Sequence, residues 1–204
     1  MPPPSQTAPS QPDSTELSAY QRRQLRRSQR RDHVYDAAVG LFTKQSYDGT
    51  TMDDIAKEAG VARTSVFNYF ERKSAILDDW AARRRDLGFG TIRNPDEPLQ
   101  QQLTEFMTGI AQVSMDTRDE TVALFGPAVR ELNLLDNSAL AVEMTELIEH
   151  SGQPVADKEL LGSVLATGYF AVLHDWCAGD KPPFNLGERL RQLVHLLASG
   201  FDQS

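Results

Sequence analysis

Between Thr51 and Phe70 the chain reads TMDDIAKEAGVARTSVFNYF, two short helical segments joined at Gly60. Neither is long enough to persist as an isolated helix, so both must pack on a further element. Thr51 stands where an N-cap belongs, and Asp54 three residues later makes an acidic variant of the capping box. Asp53 and Asp54 also suit the positive end of a helix. Ile55, Ala56 and Ala59 face inward, and Gly60 ends the segment. Upstream, Val34, Ala37, Ala38, Leu41 and Phe42 recur at i, i+3, i+4, i+7 and i+8, an apolar stripe of helical period that starts near Arg31. Downstream, Ser74 stands as the cap of a fourth helix.

Two short helices joined by a glycine-containing turn form a helix-turn-helix, whose second helix lies in the DNA major groove. The segment 62–70 can be tested for that role by spacing its residues 100° apart around a helix axis. With Val66 as origin, Ala62 and Phe70 each lie about 40° away and make a packing stripe. Thr64 and Asn68 fall on the opposite side, with Ser65, Phe67 and Tyr69 on the flanks and Arg63 at the exposed N-terminal end. A purely structural helix would use Phe67 and Tyr69 as core rings and leave Asn68 solvated. A groove-reading helix uses every outward residue: Arg63 for guanine, Asn68 for adenine, Thr64 for a thymine methyl. Tyr69, Ser65, Lys73 and the amides behind Thr50 and Thr51 would then grip phosphates.

The net charge of −8 argues against nucleic acid until its distribution is considered. Residues 21–75 hold 11 Lys/Arg against 7 Asp/Glu, whereas residues 76–204 hold 10 against 20. A basic segment joined to an acidic one suggests that only the first meets a polyanion. Residues 1–20, rich in Pro, Ser and Gln, read as a disordered tail. QRRQLRRSQRRD then carries arginines at 22, 23, 26, 27, 30 and 31, as a flexible arm or as a helix extension. Either form would be drawn to phosphate. The N-terminus lacks an apolar signal core, no run approaches transmembrane length, and a single cysteine suits a reducing cytoplasm.

Beyond RNPDEP the periodicity stays helical, with candidates near 98–116, 119–133, 137–150, 156–178 and 185–202. No strand alternation of useful length intervenes. The expected architecture is all-α, with a three-helix helix-turn-helix head and a larger helical body. The expected divisions are 1–27 for the tail and basic arm, 28–88 for the head, and 89–204 for the body. Pro127, inside a helical pattern, predicts a kink or break. His174 and Cys177 at i, i+3 make half a metal site with no evident partners. No zinc-protease, phosphate-loop, dinucleotide-binding or nucleophile-elbow motif is present, so neither an enzyme nor a cofactor is expected.

The stretch AAVGLFTKQSYDGTTMDDIAKEAGVARTSVFNYFERKSAILDDW resembles the N-terminal domain of the TetR family of transcriptional regulators. The resemblance rests on AA…LF, G-T-T-x-x-D-I-A-x-x-A-G-V and Y-F-x-x-K-x-A-I-L, about 45 contiguous residues. It implies a cytoplasmic homodimer that binds a palindromic double-stranded operator, most often as a repressor, and responds to a small molecule in the body. It makes 62–70 the recognition helix and places Lys73 beside a phosphate. Ala62 stands where the family often has a capping Ser. Phe67 stands where it favours Tyr, so ring packing on the sugar–phosphate backbone replaces a hydroxyl contact.

By the same resemblance the last two helices form the dimer interface. Leu161, Val164, Leu165, Gly168 and Val172 would come from one helix and Leu190, Leu193, Val194 and Leu197 from the other, with Leu186, Trp176 and Phe201 extending the stripes. The implied effector pocket is mainly apolar, lined by Trp80, Phe106, Met107, Ile110, Phe125, Tyr169, Phe170 and Trp176, with Phe89 nearby. Glu105, His174 or Asp175 would orient a ligand. The alternative is a DNA-binding adaptor or architectural dimer that needs no effector.

Overall fold

The computed structural model describes residues 18–134 and 138–198. Among them are nine helices and no strand: α1 (Ala19–Gln45), α2 (Met52–Glu58), α3 (Arg63–Tyr69), α4 (Ser74–Phe89), α5 (Leu99–Asp116), α6 (Arg118–Leu132), α7 (Ala139–His150), α8 (Lys158–Cys177) and α9 (Leu186–Ala198). The all-α architecture expected from periodicity is therefore the one observed. The head is α1 to α3, and α4 joins it to the body. There α5 packs between α4 and α9, and α7 lies along α8.

The arginine-rich segment is helix, not flexible arm. Ser18 accepts from the Gln21 amide, while the Gln21 side chain accepts from the Ser18 amide, a complete capping box that starts α1 twelve residues ahead of Arg31. The division drawn at residue 27 thus falls inside one continuous helix. Of the tail expected over residues 1–20, residues 1–17 lie outside the described residues, as does Phe201, whereas Ser18 caps α1 and Ala19 and Tyr20 begin it.

The head is held as its sequence suggests. Thr51 Oγ1 accepts from the Asp54 amide, and the Asp54 carboxylate accepts from the Thr51 amide at 2.9 Å. The Thr51 hydroxyl also donates to the Asp54 carboxylate at 2.6 Å, and that bond, with the one from the Thr51 amide, holds the Asp54 carboxyl below its usual range. Gly60 takes φ +61. Val61 N bonds to Ala56 O and Gly60 N to Lys57 O, a Schellman closure that requires the left-handed residue. Val34, Ala38, Phe42, Ile55, Val66 and Phe70 form the head core. His33 Nε2 lies 3.1 Å from Ala59 O and ties α1 to the end of α2.

Three local expectations need correction. Ala62 is exposed, not part of the packing stripe, because it occupies the extended N-cap position of α3, outside the helical turn. Ser74 is the first residue of α4 rather than its cap; its hydroxyl accepts from Arg72 Nε at 2.9 Å. Pro127 does not break α6, which runs through it to a left-handed C-cap at Asn133. A proline removes one donor but need not end a helix already fixed by packing, and Leu124, Phe125 and Ala128 on either side are buried.

Candidate nucleic-acid interface and body cavity

The α3 helix shows two distinct sides. Val66 and Phe70 are buried, whereas Arg63, Thr64, Phe67 and Asn68 are exposed and Ser65 and Tyr69 half-buried. Phe67 therefore lies on the rim, 38% exposed, not in the core. Arg63 is not a loose side chain. Its Nε sits 3.0 Å from Asp53 Oδ1 at the start of α2, and its guanidinium lies over the Phe67 ring at 5.4 Å. Asp53 thus acts across the turn as well as on its own helix end, a role its sequence position does not reveal.

Two residues expected to grip phosphate are turned inward. Lys73 Nζ donates to Tyr47 O at 2.7 Å and Thr50 O at 2.9 Å, and lies over the Tyr47 ring at 4.1 Å. A lysine has three donors, so two are spent on the α1–α2 loop. Thr50 is 1% exposed, and its hydroxyl donates to Ser46 O. Thr51 stays on the surface, committed to its cap. Burial pushes the Tyr47 hydroxyl up to about 12, so it stays a neutral phenol beneath the ammonium.

A second basic surface adjoins α3. Tyr20, Arg23, Gln24, Arg26, Arg27 and Arg30 of α1 form one wall of an open groove of about 700 Å³, and Asn68 and Tyr69 form the other. The groove ends where Arg31 binds Asp79 of α4 through both Nη atoms, at 3.0 and 2.8 Å, and stacks on Phe70. Arg83 of α4 joins the same cluster by bonding to Asp79 and Asp32, over the Tyr35 ring. Burial alone would lower the Arg83 guanidinium, but the Asp32 hydrogen bond and the Asp79 charge outweigh it and raise it. Arg130 of α6 reaches Asp48 at 2.9 Å. Head and body are thus joined by charge as well as by α4.

Within the body, Trp80, Ile110, Phe125, Tyr169 and Phe170 line a cavity of about 40 Å³, together with Arg84, Arg85 and Leu173. Phe106, Met107 and Trp176, also expected in an effector pocket, are buried and do not border this cavity. Phe106 packs against Gly88 and Phe89, and Trp176 lies beneath Arg118. Glu105 is committed to the Arg93 amide, and His174 and Asp175 are exposed, so none of the three faces the cavity. Burial pushes the Tyr169 hydroxyl up to about 12.

Arg84 is the residue that the sequence reading missed. It is 6% exposed and lies over the Trp80 ring. Its Nη1 donates to Glu120 at 3.0 Å and its Nη2 to Thr117 and Thr121, while Trp80 Nε1 donates to the same Glu120 oxygen. Arg84 Nε has no partner. Arg84 lies one turn from Trp80 on the buried side of α4.

Cys177 is half-buried, and burial pushes its thiol up to about 11, which leaves it a poor ligand and nucleophile. Among the described residues no group of three His, Cys, Asp or Glu side chains is placed to hold a metal.

The expected interface residues divide. Leu161, Leu165, Leu190 and Val194, like Leu186, are buried by the chain's own helices. Gly168, expected to admit another helix, admits Leu193 of α9 from the same chain; a Cβ there would meet it at 2.8 Å. Val164 is exposed, and Val172 and Leu197 are half-buried. Leu160 and Leu196, on the same two helices, are exposed as well.

Residues 34–79 match the family described as "Bacterial regulatory proteins, tetR family". IcaR of Staphylococcus aureus, a negative transcriptional regulator of the biofilm operon icaADBC, is 40% identical over 48 residues, 24% of this chain and 26% of IcaR. MftR of Mycobacterium tuberculosis, named for regulation of mycofactocin biosynthesis, is 41% identical over 76 residues, 37% of this chain and 38% of MftR. The chain thus spans well under half the length of these curated relatives. The fold reaches further. FadR of Thermus thermophilus, a TetR-family repressor in complex with lauroyl-CoA, superposes with TM-score 0.61 at 24% identity, over 83% of this chain and 94% of FadR. FadR of Bacillus halodurans gives 0.62 at 19%, over 84% and 95%. The head thus matches the TetR family of bacterial regulators over residues 34–79, and the chain as a whole shares the fold of these solved regulators.

Proposed function

We propose that the protein is a homodimeric repressor that binds a palindromic operator in the cytoplasm and leaves it when a small molecule occupies the body. The exposed side of α3 carries this reading. Arg63, Thr64 and Asn68 face outward, and the opposite side is secured by Val66 and Phe70. That division supplies base-reading groups on a rigid support. Among the described residues no helix is long and apolar enough to cross a membrane. In-vitro selection from random duplexes should yield a two-half-site sequence. Arg63→Ala should then cost about 1–3 kcal/mol on it. Selection that enriches no sequence would count against operator recognition.

Release would follow a population shift: the effector binds best to a state whose two heads no longer match successive major grooves. The body cavity of about 40 Å³ is far below the ~300–1,000 Å³ of drug-sized sites, so an effector must hold a more open state. The mainly apolar lining and the unpartnered Arg84 Nε suit an apolar molecule with one hydrogen-bond acceptor. FadR of T. thermophilus, in complex with lauroyl-CoA, shares the fold. A thermal-shift screen of apolar carboxylic acids and their esters should raise Tm for some members, and Arg84→Met should remove the preference for the acid.

The small cavity equally favours a second reading, a DNA-binding adaptor with no effector. Operator binding with no stabilising molecule in the screen would decide for it.

A further inference from the structure

We infer that the first three turns of α1 are a second DNA-binding element, which holds the sugar–phosphate strand next to the bases faced by α3. This inference rests on the DNA-binding reading of the head. Tyr20, Arg23, Gln24, Arg27 and Arg30 recur at helical spacing, so they share one side of α1, and that side faces Asn68 and Tyr69. Arg26 borders the same groove. Among the described residues, Arg23, Arg26, Arg27 and Arg30 have no acidic partner, whereas Arg31 and Arg63 beside them each hold an aspartate.

Like charges one turn apart on a helix repel. An unpaired arginine stripe therefore destabilises its own helix until a polyanion neutralises it. From Arg23 to Arg30 the stripe runs about 10 Å along the axis. One DNA strand presents a phosphate about every 3.4 Å of rise, roughly three over that length. Three guanidiniums in a row thus match the charge spacing of a strand. The other wall of the groove decides the occupant. Because Asn68 and Tyr69 belong to α3, whatever fills the groove must lie against what α3 binds. A duplex seated on α3 meets that condition with its own backbone, and a flat bilayer cannot enter the concavity.

The test uses the full chain and the duplex that the wild type selects, with affinity followed across NaCl from about 50 to 200 mM. Arg27→Gln and Arg30→Gln, which keep good helix formers in place, should each flatten the slope of log K against log salt by about 0.9. Replacing arginines 23, 26, 27 and 30 together should flatten it by roughly 2–4 and lower affinity at least ~10-fold near physiological salt, with the selected sequence unchanged. Slopes equal to wild type in all three variants overturn the inference. So does arm-dependent binding to phosphatidylserine vesicles alongside an unchanged DNA slope. Arg63→Ala separates the two failures. If it weakens operator binding while the arm variants do not, only the arm inference falls; if neither changes binding, the DNA-binding reading falls with it.

Discussion

At the scale of single residues, charge in the head is used to place groups before any ligand arrives. Lys73 is the plainest case, because its ammonium fastens the carbonyls of Tyr47 and Thr50. Lys73→Ala should leave both acceptors short of a partner and cost about 1–3 kcal/mol in urea unfolding. It should weaken binding to all duplexes alike with little change in salt slope, whereas a lysine seated on a phosphate would change that slope by about one. Asp53 is the converse. The Asp53–Arg63 pair is largely exposed, so Asp53→Asn should alter stability by less than about 1 kcal/mol. It should instead raise affinity for unrelated duplexes and reduce discrimination at the base that Arg63 reads, seen by comparing operator and scrambled DNA. The sequence identified Arg63 and Lys73 as important positive residues. It did not reveal which way either points, since direction depends on Asp53 and Tyr47, 10 and 26 residues away in the chain.

At the scale of the element, the caps decide. The α3 helix has no side-chain cap. Ala62 is exposed in extended backbone, where a serine fits without strain, so Ala62→Ser should stabilise by about 0.5–1 kcal/mol and raise Tm by a few degrees. Thr51→Ala should cost about 1 kcal/mol by removing the cap that α2 does have. The Asp54 half of that box is sensitive to pH. Its carboxyl is held below the ordinary range, so its stabilising share is complete above the unfolded-state value and disappears as pH falls through the lowered one. Asp54→Asn should reduce that acid dependence in a pH series of melting curves. Most helices were legible from apolar period and punctuation, because Val34 to Phe42 or Leu99 to Ile110 must face a core. The first turns of α1 were not legible that way, because a helix that buries nothing leaves no apolar stripe. Its signal was the S-x-x-Q of Ser18 and Gln21, a cap rather than a period.

At the scale of the whole molecule, head and body meet through α4, through α1 packed on α6, and through a small set of ion pairs. Two arginines one residue apart do different work. Arg83 closes the cluster with Asp32 and Asp79 against α1, and Arg84 is sealed within the body by Glu120 and two threonines. Glu120→Ala would leave the Arg84 charge buried without its acid and should cost about 3–5 kcal/mol in denaturant unfolding. A near-neutral result would mean that water reaches the site. The body cavity was the least legible part. Five of its eight expected lining residues do border it, but Phe106, Met107 and Trp176 are apolar for packing, and a core aromatic cannot be told from a pocket aromatic by spacing. The interface stripes are equally hard to read, since one amphipathic pattern serves packing within a chain and between chains.

The unbroken course of α1 has a mechanical consequence. Its last turns are fixed in the head core and Arg31 is fastened to α4, while about 18 Å of helix extends beyond that anchor. A stiff rod cannot follow the head's rotation by bending, so it acts as a lever. A tilt of about 10° at the anchor would carry its tip roughly 3 Å, close to one base-pair step. A movement of α4 too small to lift α3 from its groove could therefore already put the outer arginines out of register with the strand they face.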